Sequence, residues 1–240
     1  MSDTILDSPE AAEEVRALRE NPSVKIRKLR RHLEYRFKGE TCLVLGSSPD
    51  IELPSRRLFA KCLCVNSSGF LAWRRKGIIP DLTVLNGYTT LAKTPVALAN
   101  LERLQGLQTK DLLFVSSGDT IQHATSQLSQ IGYRFSQKNE INPIERAFII
   151  SEVCGTELGL GKRDQRISSG MFTAVLALWA GADKIILSGF SLGEGHYFQS
   201  ETPRYHIDAD QKCLSHFSKS FPQVASTSRE LTAKFGFGRP

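Results

Sequence analysis

Nowhere does the 240-residue sequence hold an apolar run long enough to cross a bilayer. Its opening stretch, MSDTILDSPEAAEEVRALRE, is acidic and lacks the basic start and apolar centre of a secretory leader. A cytoplasmic location is therefore expected, with peripheral attachment to an inner membrane left open. Cysteine is scarce and odd in number, at five residues. Cys42, Cys62 and Cys64 stand in or beside apolar strand-like runs, so buried thiols are expected rather than disulfides. Cys62-x-Cys64 has the wrong spacing for a common zinc site, and no metal site is expected. Three chemistry-bearing motifs are missing. Without Gly-x-x-x-x-Gly-Lys-Ser/Thr there is no P-loop, without Gly-x-Gly-x-x-Gly no dinucleotide fingerprint, and without His-Glu-x-x-His no zincin helix. Acidic residues are also few where strands are expected to end, which argues against a divalent-metal site.

What is present has the balance of a globular protein with anionic partners. Thirty-one Lys and Arg against 25 Asp and Glu give a net charge of +6, which suits nucleotide phosphates, nucleic acid or an acidic membrane surface without choosing among them. Residues 1–38 form a helical, basic N-terminal segment. Asp7-Ser8-Pro9-Glu10 predicts a helix start, and VKIRKLRRHLEYRFKG predicts a second helix with Ile26, Leu29, Leu33, Tyr35 and Phe37 as its apolar stripe. Two roles stay open for that helix: packing on the domain with its charges solvated, or contact with an anionic membrane.

From residue 39 to 240 the pattern changes. TCLVLGSS, KCLCVNSSG, IPDLTVLNGY, KDLLFVSSGD and ADKIILSGFS are short apolar strands, alternating with helical patterns clearest over 89–104, 120–131 and 169–180. Uniformly apolar strands between helices predict a doubly wound, mostly parallel α/β sheet in one Rossmann-like domain. Each strand ends in small polar residues: Gly46-Ser47-Ser48, Asn66-Ser67-Ser68, Asn86-Gly87, Ser116-Ser117-Gly118 and Ser188-Gly189. One such turn is only a turn. Five along one edge predict a polar ligand outside the strand carboxyl ends, with Gly46 letting a phosphate or ribose approach the main chain. A mononucleotide fits better than a dinucleotide or magnesium-held ATP.

VLGSSPDI, CVNSSGF and PDLTVLN, followed by Ile167-Ser168-Ser169-Gly170, Lys184-Ile185-Ile186-Leu187-Ser188-Gly189 and HIDADQKCL, resemble the layout of bacterial sialyltransferases of glycosyltransferase family 42, or of 29-like relatives. The resemblance runs in patches over 41–214. It implies a Rossmann-like, GT-A-variant-like domain and a CMP-activated sialic acid as donor. It also implies inverting transfer to a saccharide or glycolipid hydroxyl, as in lipopolysaccharide synthesis, without metal or cofactor. Kdo, the other common CMP-linked acid sugar, carries the same carboxylate. Carried onto this chain, Gly46, Ser48, Asn66 and Asn86 line the nucleotide and sugar pocket, and the strand-end pattern adds Ser47, Ser188 and Gly189 to the candidate binding residues. Ser168, Ser169 and Gly170 hold the donor's anionic groups at a helix N-terminus.

The family's catalytic histidine follows the Gln-Lys helix, where this chain reads SFPQVASTSREL with no histidine. Either catalysis is lost or another histidine serves. His196-Tyr197 and Tyr205-His206 flank a polar insertion just past Ser188-Gly189, where an imidazole can take the acceptor proton and a tyrosine can support the departing phosphate. His206 is the first candidate base because a helix follows it directly, and His196 the second; Tyr197 and Tyr205 are the tyrosine candidates. His32 and His123 look like exposed helix residues. Residues 141–167 predict a mobile loop with a basic edge at Lys162, Arg163 and Arg166. A pterin pyrophosphokinase using ATP and magnesium is the alternative enzyme, and a non-catalytic nucleotide-binding relative the alternative of another class. No nucleic-acid partner is expected; homo-oligomerisation stays open.

Overall fold

The computed structural model describes residues 5–48, 51–91, 94–116, 118–155, 158–193 and 205–240. Among the described residues seven strands form one sheet in the order β5-β4-β3-β2-β1-β6-β7. They are β1 (Thr41–Leu45), β2 (Lys61–Val65), β3 (Leu82–Asn86), β4 (Gln108–Val115), β5 (Arg134–Ile141), β6 (Lys184–Ser188) and β7 (Val224–Ser226). Every neighbouring pair is parallel, so the sheet is wholly rather than mostly parallel. The order runs outward from β1 in both directions, which puts the topological switch point between β1 and β6.

The residue-by-residue alternation of the strands explains why both faces are covered. Cys42, Val44, Leu63, Val84, Leu113, Ile185 and Leu187 join the large cluster on one face. Leu43, Leu45, Cys62, Cys64 and Ile186 point into a small cluster on the other, and Leu85, Leu112 and Phe114 into its neighbour. The large cluster is roofed by α1 (Pro9–Glu20), α2 (Val24–Phe37), α6 (Pro143–Cys154), α7 (Ser169–Trp179), α8 (Ile207–Ser220) and α9 (Arg229–Phe235). On the opposite face lie α3 (Gly69–Lys76), α4 (Pro95–Leu104) and α5 (Asp119–Gln130). The β1–β2 connection contains only a 3-10 turn at Arg56–Leu58 and covers its strands with irregular chain.

α7 is apolar all round, with Met171, Phe172, Ala174, Val175, Leu176 and Ala177 buried, because it lies centrally across the sheet and under α6. α2 is amphipathic instead. Ile26, Leu29, Leu33 and Phe37 go inward at helical spacing, while Tyr35 is 88% exposed and does not belong to the stripe. Several of its basic groups are also turned to carboxylates. Lys25 meets Glu145 at 2.7 Å, and His32 and Arg36 reach the buried Asp111 at 3.0 and 3.4 Å. His32 is thus a tie between α2 and the sheet and not an exposed helix residue, whereas His123 is exposed.

Residues 143–154 form α6, where the sequence suggested a loop. Asn142 and Glu145 make a reciprocal capping box around Pro143, and Ile144, Ala147, Phe148, Ile149 and Ile150 are buried. An apolar helix buried on most sides carries no amphipathic period for sequence reasoning to detect. No described helix is long and apolar enough to cross a membrane.

Candidate functional site

The strand-end turns do line one edge, but most of their polar atoms are spent on each other. Gly46 N–H donates to the Ser188 carbonyl and Ser48 N–H to the Gly189 carbonyl, both at 2.8 Å, so β1 and β6 stay joined past their last ladder residues. A Cβ on Gly46 would overlap the Gly189 carbonyl oxygen, and one on Gly189 would sit 2.6 Å from Ile51. Gly46 therefore makes room for a neighbouring strand end, where the sequence suggested room for a phosphate or ribose. Gly189 in addition adopts φ +73°, a region glycine enters without strain. Ser188 is fully buried and its hydroxyl donates to the Glu52 carbonyl at 2.7 Å, so it serves the fold and is closed to a ligand.

The next two turns behave alike. Ser68 accepts from Val65 N–H at 3.0 Å and donates to the Leu45 carbonyl at 2.9 Å, tying β2 to β1. Asn66 sits at φ +47°, the one described non-glycine residue with positive φ, and its side-chain oxygen accepts from Asn86 N–H and the Thr89 hydroxyl, each at 3.3 Å. The carboxamide oxygen of Asn86 in turn accepts from Tyr88 N–H at 3.0 Å. Asn66 and Asn86 are thus brought together at adjacent strand ends, both partly exposed. Left-handed asparagine is tolerated through such local hydrogen bonding, and strain of this kind concentrates at binding sites. Ser47 is partly exposed beside the buried Ser48, whose hydroxyl has no hydrogen-bond partner among the described residues.

Open donors collect one element further on. Ser168 caps α7: its hydroxyl accepts from Met171 N–H at 3.2 Å, and its own N–H donates to Asp210 at 2.7 Å. The Ser168 N–H is therefore spent on Asp210, while its hydroxyl, accepting from Met171, keeps a proton to donate. Ser169 and Gly170, the first two helical residues, have no partner for their N–H groups or for the Ser169 hydroxyl among the described residues, and both are partly exposed. The tripeptide before them is clamped. Arg166 gives its carbonyl to His206, Ile167 gives its carbonyl to Arg146, and Ile167 N–H reaches Leu158 at 3.1 Å.

His206 stands at the start of α8, its Nδ1 2.7 Å from the Arg166 carbonyl. A carbonyl only accepts, so Nδ1 carries the proton and Nε2 is left with its lone pair. Burial pushes the imidazole down to about 4; the hydrogen bond to Arg166 opposes this, and Arg146, Arg163 and Arg166 lower it further. Nearby, burial lowers the Arg146 guanidinium to about 10, assisted by Arg166 and opposed by Asp210. Tyr205 is 55% exposed with the Arg163 guanidinium 4.9 Å from its ring centre. His196 and Tyr197 lie outside the described residues.

The sequence pattern does not reveal Arg146 or Asp210 as site residues and shows Arg166 only at the edge of an expected loop. The available signal was an acid in the first turn of a helix beginning His-Ile-Asp-Ala-Asp. Gly189-Phe190-Ser191-Leu192-Gly193 matches the serine-hydrolase elbow spacing, yet an elbow needs a helix directly after the turn, and the chain is irregular from Gly189 to Gly193. Where the resemblance places a histidine, β7 buries Val224, Ala225 and Ser226 against β6.

The depressed imidazole has a measurable consequence. Because the folded state resists protonating His206, stability is full above the ordinary value of 6.5 and falls as pH drops from 6.5 towards 4, by about 2–3 kcal/mol. Urea midpoints measured across pH 4–7 are expected to lose this slope in His206→Gln.

No family model matches the sequence, and no curated protein matches it. Solved structures do. The sialyltransferase CstII from Campylobacter jejuni, in complex with the substrate analogue cytidine-5'-monophosphate, is similar over 84% of this chain and 85% of its own, with TM-score 0.51 and 16% identity. The monofunctional alpha-2,3-sialyltransferase Cst-I of the same organism gives TM-score 0.53 at 14% identity, covering 83% of this chain and 80% of that one. CST-II in complex with a trisaccharide acceptor and CMP gives 0.52 at 15%, covering 83% and 85%. At such identities the likeness is one of fold: a Rossmann-like parallel sheet flanked by helices.

Proposed function

We propose that this protein is an inverting glycosyltransferase that moves an acidic sugar, sialic acid or Kdo, from a CMP donor to a saccharide hydroxyl. One observation carries the proposal. A neutral imidazole, whose Nε2 has no partner among the described residues, is held beside the N-terminus of α7, next to the switch-point edge of the sheet. The fold shared with sialyltransferases solved with CMP and with a trisaccharide acceptor supports the choice of chemistry.

The donor phosphate takes the Ser169 and Gly170 N–H groups, where the positive end of the helix favours an anion. Nε2 of His206 accepts the proton of the acceptor hydroxyl as that oxygen bonds to the anomeric carbon. The bond to the CMP oxygen breaks on the opposite face, and its electron pair leaves with the phosphate. Tyr205, or Tyr197, donates a hydrogen bond to that departing oxygen. No metal or cofactor enters the proposal.

Incubating the protein with CMP-sialic acid, CMP-Kdo, and ATP with magnesium tests it directly. CMP is expected to raise the melting temperature, and the matching CMP-sugar to be consumed with release of CMP. Consumption of ATP alone would move the protein to pyrophosphoryl transfer, and CMP stabilisation without turnover to the non-catalytic class.

A further inference from the structure

The layer over β1 and β2 combines exposed cations with exposed apolar side chains. Between residues 55 and 79 the chain has six Lys and Arg and no Asp or Glu. Lys61 is partly exposed and lies 3.4 Å from Glu40; the other five are exposed, on the 3-10 turn and on α3. Leu58, Trp73 and Ile79 protrude among them, 43%, 47% and 39% exposed. Phe59, Ala72 and Ile78 pack in one cluster beneath, and Arg75 bonds the Ile51 carbonyl at 3.3 Å, so the turn and the helix belong to one continuous surface. The nearest acid on the connecting segment, Glu52, lies 3.8 Å from Arg239.

We propose that this surface docks the protein on an anionic bilayer. A nucleic acid would satisfy the cations but offers little to Leu58 and Ile79. A bilayer interface takes both: acidic headgroups pair with Arg57, Arg74 and Lys76, while Trp73 and the aliphatic side chains enter at headgroup level. α2, basic as it is, turns Lys25, His32 and Arg36 to carboxylates of its own protein. The docking layer lies on a face of the sheet, beside and not across the strand carboxyl ends, so the candidate site stays open. Nothing in this assignment depends on the chemistry of that site.

The full-length protein, sedimented with phosphatidylcholine vesicles and with vesicles containing about 30% phosphatidylglycerol, is expected to bind only the second, and to release in about half-molar salt. Trp73 emission should shift to the blue on binding; the second tryptophan, Trp179, is only 5% exposed, so the change reports Trp73. The triple variant Arg57→Glu, Arg74→Glu, Lys76→Glu is expected to bind at least about a hundredfold more weakly with an unchanged melting temperature, since each of the three cations lost near such a surface is worth roughly fivefold. Arg31→Glu on α2 should bind like the parent. Equal binding to neutral vesicles, or equal binding by parent and triple variant, overturns the proposal. So does tight, lipid-free binding of a single-stranded RNA oligonucleotide that the same triple variant abolishes.

Discussion

His206→Ala is expected to lower sugar transfer by about 10²–10⁴-fold, the range general-base catalysis supplies, while CMP still raises the melting temperature. The expectation follows from tautomer and burial together. With Nδ1–H committed to the Arg166 carbonyl, only Nε2 can receive a proton. With the imidazole pushed down to about 4, it is neutral across the pH range in which the protein is stable. A base this weakly basic has a modest driving force for proton transfer, but above about pH 4 it stays in the neutral form that can accept one. The acid limb of kcat/KM should accordingly fall near pH 4, well below the ordinary histidine value of about 6.5. His206→Gln keeps a hydrogen bond to the carbonyl and should be as inactive as alanine. Transfer at the parental rate by either variant would remove His206 from the mechanism and leave His196 as the candidate base.

Asp210→Ala should cost about 3–5 kcal/mol of unfolding free energy, the usual penalty for leaving buried charge unbalanced. The carboxylate is 4% exposed, accepts the Ser168 N–H at 2.7 Å and offsets Arg146, which burial and Arg166 already disfavour in its charged form. In a chain of this size the loss corresponds to a fall in melting temperature of roughly 10 °C or more. Asp210→Asn retains an acceptor for Ser168 and should lose less than alanine. Donor binding should weaken in the alanine variant, because the Ser168 N–H that positions the α7 cap is released, and less in the asparagine variant, which still accepts it. A denaturation midpoint for the alanine variant within about 1 kcal/mol of the parent would show that Asp210 does not neutralise the pair.

The central strands were legible because burial on both faces writes itself as an uninterrupted apolar run. β5 was not. RFSQKNEI lies at the sheet edge with only Ile141 buried, so its composition is that of a surface segment. β7 has three residues and is a strand only because β6 is beside it. The five polar turns were correctly placed on one edge, but their duty was not readable. Whether Ser68 points to a ligand or to the Leu45 carbonyl depends on a neighbouring strand 23 residues away, and Ser188 finds Glu52 across 136. The partnership of Ser168 with Asp210 spans 42 residues and leaves no local pattern. Tertiary pairing of polar groups, more than secondary structure, decided which candidates stayed open.

The outward order of the strands also bears on how the chain comes to fold. β1 lies between β2 and β6, with Thr41 opposite Lys184, so the first strand made waits for nearly the last one before its second side is covered. Until then Leu43, Leu45 and their neighbours form a sheet with a bare central edge, and α7 has yet to be made. Pairings this distant in sequence close slowly and leave sticky surface exposed while they do. A ribosome-bound chain ending after β5 should therefore be a client for chaperones, with the switch-point crevice forming only as the final third of the protein emerges.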